Sequence, residues 1–121
     1  MQTFINALII FIIIEHFLFL YIEMFLWTNK AIRKRFNNTL EQAKTTQLLA
    51  KNQGLYNGFL AVGLIWGLNH SDPRVSVEIV AFFLACIFVA GVYGGLTVKK
   101  SIFFVQGVPA LVGLGLIGSQ M

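Results

Sequence analysis

Glu15, His16 and Glu23 can carry charge or a proton, and they stand inside an otherwise apolar run, FINALIIFIIIEHFLFLYIEMFLW, at residues 4–27. If that run is a helix in lipid, a charge on it is costly. It must face protein or a water-filled cavity, which marks a proton relay, an ion path or a counter-charge for a ligand. On a helix Glu23 follows His16 by seven residues and shares its face, with Glu15 about 100° away. Glu23 lies roughly 6 Å from the end of the run at Trp27, and His16 roughly 16 Å in.

The same depth count places other polar side chains near Glu23. Asn57 and Gln106 fall about one turn inside the boundary of their own apolar segments, and Asn52 and Gln53 fall at the boundary. Glu23, Gln53, Asn57 and Gln106 can converge at one level, with Tyr56 beside them. A carboxyl group ringed by amides can be hydrogen-bonded while buried. The same residues could serve as polar glue between helices instead. Glu15 and His16 are adjacent, so they face different ways and need partners elsewhere, with Asn6, Trp66 and Tyr93 as candidates. The pair reads either as a proton relay or as a neutral His16 beside a protonated Glu15.

Other chemistries lack their residues. His16 and His70 are the only histidines, and their spacing matches neither a zinc helix nor a di-iron ligand set. Cys86 is the only cysteine, which excludes an intrachain disulfide and a cysteine-rich metal site. Gly113, Gly115 and Gly118 have the glycine spacing of a dinucleotide fingerprint but follow no strand. No metal or cofactor is expected.

The elements that must position these groups follow from composition. Of the 121 residues, 57% are hydrophobic and 12% charged, against roughly a quarter charged in a soluble domain. A single integral membrane domain spanning 1–121 is expected, all-α, a four-transmembrane-helix bundle with spans at 4–27, 54–68, 77–98 and 102–117. In lipid only helices or closed barrels satisfy the backbone, and barrel alternation is missing. The first span lacks a basic leader and a small-residue cleavage site, so it reads as a membrane helix rather than a signal peptide.

Lys30, Arg33, Lys34, Arg35, Lys44 and Lys51 fall in the first connection, Lys99 and Lys100 in the third, and only Arg74 in the second. The positive-inside rule then predicts cytoplasmic loops at 28–52 and 99–101 and both termini outside, in a bacterial inner membrane. The basic loop reads as helical: a continuation of the first span, a turn near Asn37–Asn38, and an amphipathic piece on the membrane surface. It suits a topology determinant and lipid anchor, or a site for an acidic ligand; nucleic acid is not an expected partner. Glycines throughout the last three spans allow close helix approach, within one chain or in a homodimer. Pro109 predicts a packing kink or a hinge in the last span.

Four stretches together, Glu15-His16 with Glu23-Met24-Phe25-x-Trp27, Asn52-Gln53-Gly54-Leu55-Tyr56-Asn57-Gly58-Phe59-Leu60-Ala61, Ala90-Gly91-x-Tyr93-Gly94 and Gln106-Gly107-x-Pro109-Ala110, resemble the DUF1304 family of small bacterial integral membrane proteins. The resemblance implies a multi-span membrane protein and places Glu23, Asn52, Gln53, Tyr56, Asn57 and Gln106 in a shared pattern. It implies no reaction.

These features point first to a small transporter or ligand-binding membrane protein that takes a small cationic or amphiphilic molecule. Glu23 supplies charge or accepts a proton, and Asn57, Gln53 and Gln106 orient the ligand. The alternatives are a lipid- or quinone-modifying membrane enzyme with Glu23 or His16 as acid–base, and a structural or accessory membrane subunit.

Overall fold

A computed structural model of the chain describes residues 1–120. The described residues form helices α1 (Gln2–Phe25), α2 (Lys30–Arg35), α3 (Leu40–Leu68), α4 (Pro73–Thr97) and α5 (Lys100–Gln120), the last interrupted by a π-helical turn at Phe103–Gly107. They fall into two compact units. One comprises residues 14–59, and the other residues 1–13 with 60 onward.

In the larger unit the core residues recur at helical spacing. Ile5, Ile9 and Ile12 come from α1, Ala61 and Leu64 from α3, Val80, Leu84 and Ile87 from α4, and Ala110 and Ile117 from α5. The opposite faces carry exposed Phe4, Phe82, Val89 and Leu96. Apolar surface of that extent suits acyl chains, not water. Asp72 starts α4 by accepting hydrogen bonds from the backbone N–H of Arg74 (2.8 Å) and Val75 (3.3 Å), with Pro73 in the first turn. Both choices suit a helix N-terminus, where donors are unpaired and a missing N–H costs nothing. Where α4 meets α5 the backbones nearly touch: a Cβ added to Gly91 would lie 2.6 Å from the Gly107 Cα.

The π-helical turn falls at this contact, with the Val108 N–H bonded to the Phe103 carbonyl five residues back. It stands immediately before Pro109, which has no N–H and whose ring crowds the carbonyl four residues upstream. A wider turn accommodates both constraints.

In the smaller unit local motifs fix every bend. The Asn29 side chain accepts from the N–H groups of Ala31 (2.9 Å) and Ile32 (3.4 Å) and starts α2. At its end Asn38 N–H bonds to the Arg33 carbonyl (2.8 Å) and Asn37 N–H to that of Lys34 (3.3 Å), while Asn37 adopts φ 57°. This is a Schellman closure, with asparagine in the left-handed position where it is tolerated. Thr39 and Gln42 then cap α3 reciprocally at 2.9 and 3.1 Å, the pairing of a capping box.

Two expectations are corrected. The basic segment is not a continuation of the first helix followed by a separate surface piece. Asn29 breaks the chain into a new helix, and α3 then runs unbroken for 29 residues, roughly 44 Å. Second, the four-span bundle gives way to three helices long and apolar enough to cross a membrane: Gln2–Phe25, Pro73–Thr97 and Lys100–Gln120. Residues 54–68 are only the distal part of α3. The proximal part carries Glu41, Lys44, Lys51, Asn52 and Gln53, and Asn57 interrupts the distal part. The remaining apolar stretch is far shorter than the ~20 residues a bilayer core requires. Placing both termini outside requires an even number of crossings, so that arrangement falls with the fourth span.

Candidate functional site

Within the smaller unit α1 and α3 approach closely through glycine. A Cβ on Gly54 would lie 2.7 Å from Met24 Cγ and 3.1 Å from the Leu20 carbonyl oxygen, and one on Gly58 2.6 Å from Leu20 Cδ1. Ala43, Ala50, Gly54, Asn57 and Gly58 form the buried stripe of α3, at spacings of three, four and seven that keep them on one face. The small residues let the short Asn57 side chain reach across. Its Nδ2 donates to Glu23 Oε1 at 2.5 Å, and Asn57 is 5% exposed.

A carboxyl group has two oxygens and about four acceptor positions. One bond to Asn57 therefore fixes the orientation of Glu23 and leaves capacity for a proton or for a donor on a bound molecule. Leaving either partner unpaired costs free energy, which gives the pair a packing role whatever else it does.

The other candidates are placed differently. Asn52, Gln53 and Tyr56 lie on α3 but are exposed, and the Tyr56 ring stands 6.0 Å from that of Phe59. Gln106 is half-buried in the π-helical turn of the larger unit. Of the predicted cluster, Glu23 and Asn57 are joined by a hydrogen bond.

His16 is fully buried and meets the Phe19 ring edge-on at 5.2 Å. Glu15 is half-buried, and its Oε1 is enclosed with no hydrogen-bond partner among the described residues. Of the partners suggested for these two, Asn6 accepts a hydrogen bond from Gln2 at 2.9 Å, and Trp66 and Tyr93 are exposed.

Sequence reasoning missed one contact in this unit. Trp27 donates from Nε1 to Thr46 Oγ1 at 3.0 Å and packs on Phe36 with ring centroids 5.2 Å apart. Aromatic residues at helix ends signal an interface without naming a partner.

The long apolar helices and their outward apolar faces define a multi-pass α-helical membrane protein with a buried carboxyl–amide pair. A family model described as "Protein of unknown function (DUF1304)" matches residues 10–117, and the chain belongs to that family. A similar protein, described as "Uncharacterized protein YpaA", comes from Lactococcus lactis subsp. lactis (strain IL1403). It is 36% identical over 103 residues, covering 84% of this chain and 85% of that one. No solved structure matches the chain.

Proposed function

We propose that this protein binds, and as a transporter moves, a small cationic or amphiphilic molecule, with Glu23 as the charge- or proton-accepting group and Asn57 as the residue that orients it. The observation that carries the reading is the Asn57–Glu23 hydrogen bond on a buried face of α3. A carboxyl group held in an apolar helix is a functional candidate by default, because hydrocarbon penalises its charge. Gln53, Asn52 and Tyr56 complete the set of groups in this unit that a ligand could use, and Glu15 and His16 hold or pass a proton along α1.

In this reading the protein sits in the bacterial cytoplasmic membrane, with basic residues 28–52 on the cytoplasmic face, and works as a homodimer.

The test uses proteoliposomes and a lipophilic monocation, tetraphenylphosphonium. Native protein is expected to bind it and to move it in response to a pH gradient. Glu23→Gln keeps a side-chain oxygen for Asn57 and should preserve folding while abolishing binding and pH-driven flux. If Glu23→Gln retains both, the ligand role fails. The hydrogen bond itself favours a second reading, polar glue between α1 and α3. Under it, neither native protein nor the variant binds the probe.

A further inference from the structure

We infer that α2 and the first half of α3 form a binding surface for the headgroups of anionic phospholipids. The inference is independent of the carboxyl–amide site. Residues 28–52 hold six cations against one carboxylate, Glu41. A topology determinant needs only that charge; it needs no folded presentation. Here the presentation is built. The Asn29 cap, the Asn37 closure and the Thr39–Gln42 box define both ends of α2 and the start of α3. The Trp27–Thr46 bond and the Trp27–Phe36 contact tie the connection down. Ala43 is fully buried.

On this frame Lys30, Lys34 and Arg35 are exposed on one short helix. Arg33 is half-buried and its Nε donates to the Thr28 carbonyl at 3.1 Å. On α3, Lys44 and Lys51 flank exposed apolar surface along the helix, where Leu48 is 73% exposed and Leu49 70%.

Depth along the helices fixes where this surface sits. Asn57 bonds to Glu23 across the two helices, and α1 ends at Phe25, roughly 3 Å beyond Glu23. Leu48 and Leu49 lie roughly 12–14 Å beyond Asn57 on the same side, so the pair falls at headgroup level. Cations beside apolar side chains at that level match an interfacial surface. The apolar groups enter the boundary of the acyl region while the cations meet phosphates. An acidic protein would meet the charge but not the leucines. A free phosphate would need an enclosed cradle rather than an open face.

The experiment is native mass spectrometry of the full chain in detergent, titrated with dihexanoyl phosphatidylglycerol or dihexanoyl phosphatidylcholine. Native protein is expected to favour phosphatidylglycerol by roughly tenfold or more, from about a fivefold gain per cation near a phosphate. The triple variant Lys30→Gln/Lys34→Gln/Arg35→Gln should lose that preference while keeping its helical circular dichroism. Leu48→Ser/Leu49→Ser should weaken both lipids alike. Glycerol phosphate at millimolar concentration should not displace the lipid. The inference is overturned by equal binding of the two lipids, by a preference the triple variant retains, or by displacement with glycerol phosphate, which would assign the site to a soluble anion. It is equally overturned if polyglutamate competes at lower concentration than the lipid, which would assign the surface to an acidic protein.

Discussion

Gly91→Ala tests the packing of the larger unit at its narrowest point. The new Cβ would stand 2.5 Å from the Gly107 nitrogen, 2.6 Å from its Cα and 3.3 Å from the Gln106 carbonyl carbon. All three are backbone atoms, so no side-chain rotation relieves the clash. Carbon atoms pack best at about 3.5–4.0 Å, so α4 and α5 must part locally by about 1 Å. That opens the layer built by Leu84, Ile87 and Ala110 and strains the neighbouring π-helical turn. Overpacking of this kind costs about 1–3 kcal/mol, and each 1–2 kcal/mol changes the folding equilibrium by a factor of roughly 5–30. The assay is thermal and denaturant unfolding in detergent, with Gly115→Ala as control. A Cβ at Gly115 meets nothing within 4 Å, so the control should match native protein or exceed its stability by up to about 1 kcal/mol through helix propensity. If Gly91→Ala unfolds with the control, the backbone contact between α4 and α5 is wrong.

Asn57→Ala should cost about 1–3 kcal/mol, because Glu23 loses its buried partner. A double-mutant cycle with Glu23→Ala should give a coupling of about 0.5–3 kcal/mol, and a coupling near zero would deny the bond. Glu15→Leu should raise the unfolding midpoint, corresponding to about 1–3 kcal/mol, since it removes an enclosed oxygen that has no partner among the described residues; a lowered midpoint would mean that Glu15 has one. Asn37→Val should cost about 1–2 kcal/mol, as a branched side chain resists φ 57°. Asn37→Gly should be neutral or stabilising in the same melt, and equal effects of the two would refute the left-handed cap.

The residues themselves explain what was legible. Long apolar runs made α1 and α4 readable, because few sequences of that composition can exist outside lipid. The Asn57–Glu23 pairing followed from counting depth along helices, which needs only the rise per residue. Three features resisted. The change of composition at Gly54 suggested a boundary, yet Lys51, Asn52 and Gln53 bring no proline and no competing cap. The helix therefore passes through them, and its apolar part is shorter than a span. Asn29, by contrast, sits where its side chain captures two backbone donors, and that local competition broke a helix the hydrophobic pattern would have continued. The π-helical turn was not legible: Pro109 marks a constraint, but its form depends on Gly91 of a different helix.

α3 explains why the carboxyl–amide pair exists where it does. A helix bearing Lys51, Asn52, Gln53 and Asn57 gains little from lipid, so it must gain from protein contact. Its buried stripe of Ala43, Ala50, Gly54 and Gly58 supplies that contact by letting α1 come close, and the same closeness lets Asn57 reach Glu23. Gly54 is thus a positioning residue for the pair. In Gly54→Ala the Cβ meets the Met24 side chain at 2.7 Å, which can swing aside, and the Leu20 carbonyl oxygen at 3.1 Å, which cannot without a shift of backbone. A shift of a few tenths of an ångström results, and the hydrogen bond lengthens with it. The expected result is a destabilisation of about 1 kcal/mol that largely disappears in the Asn57→Ala background, because the two substitutions damage the same contact. Full additivity of the two would show that the glycine sets packing alone and that the approach of α1 to α3 does not govern the pair.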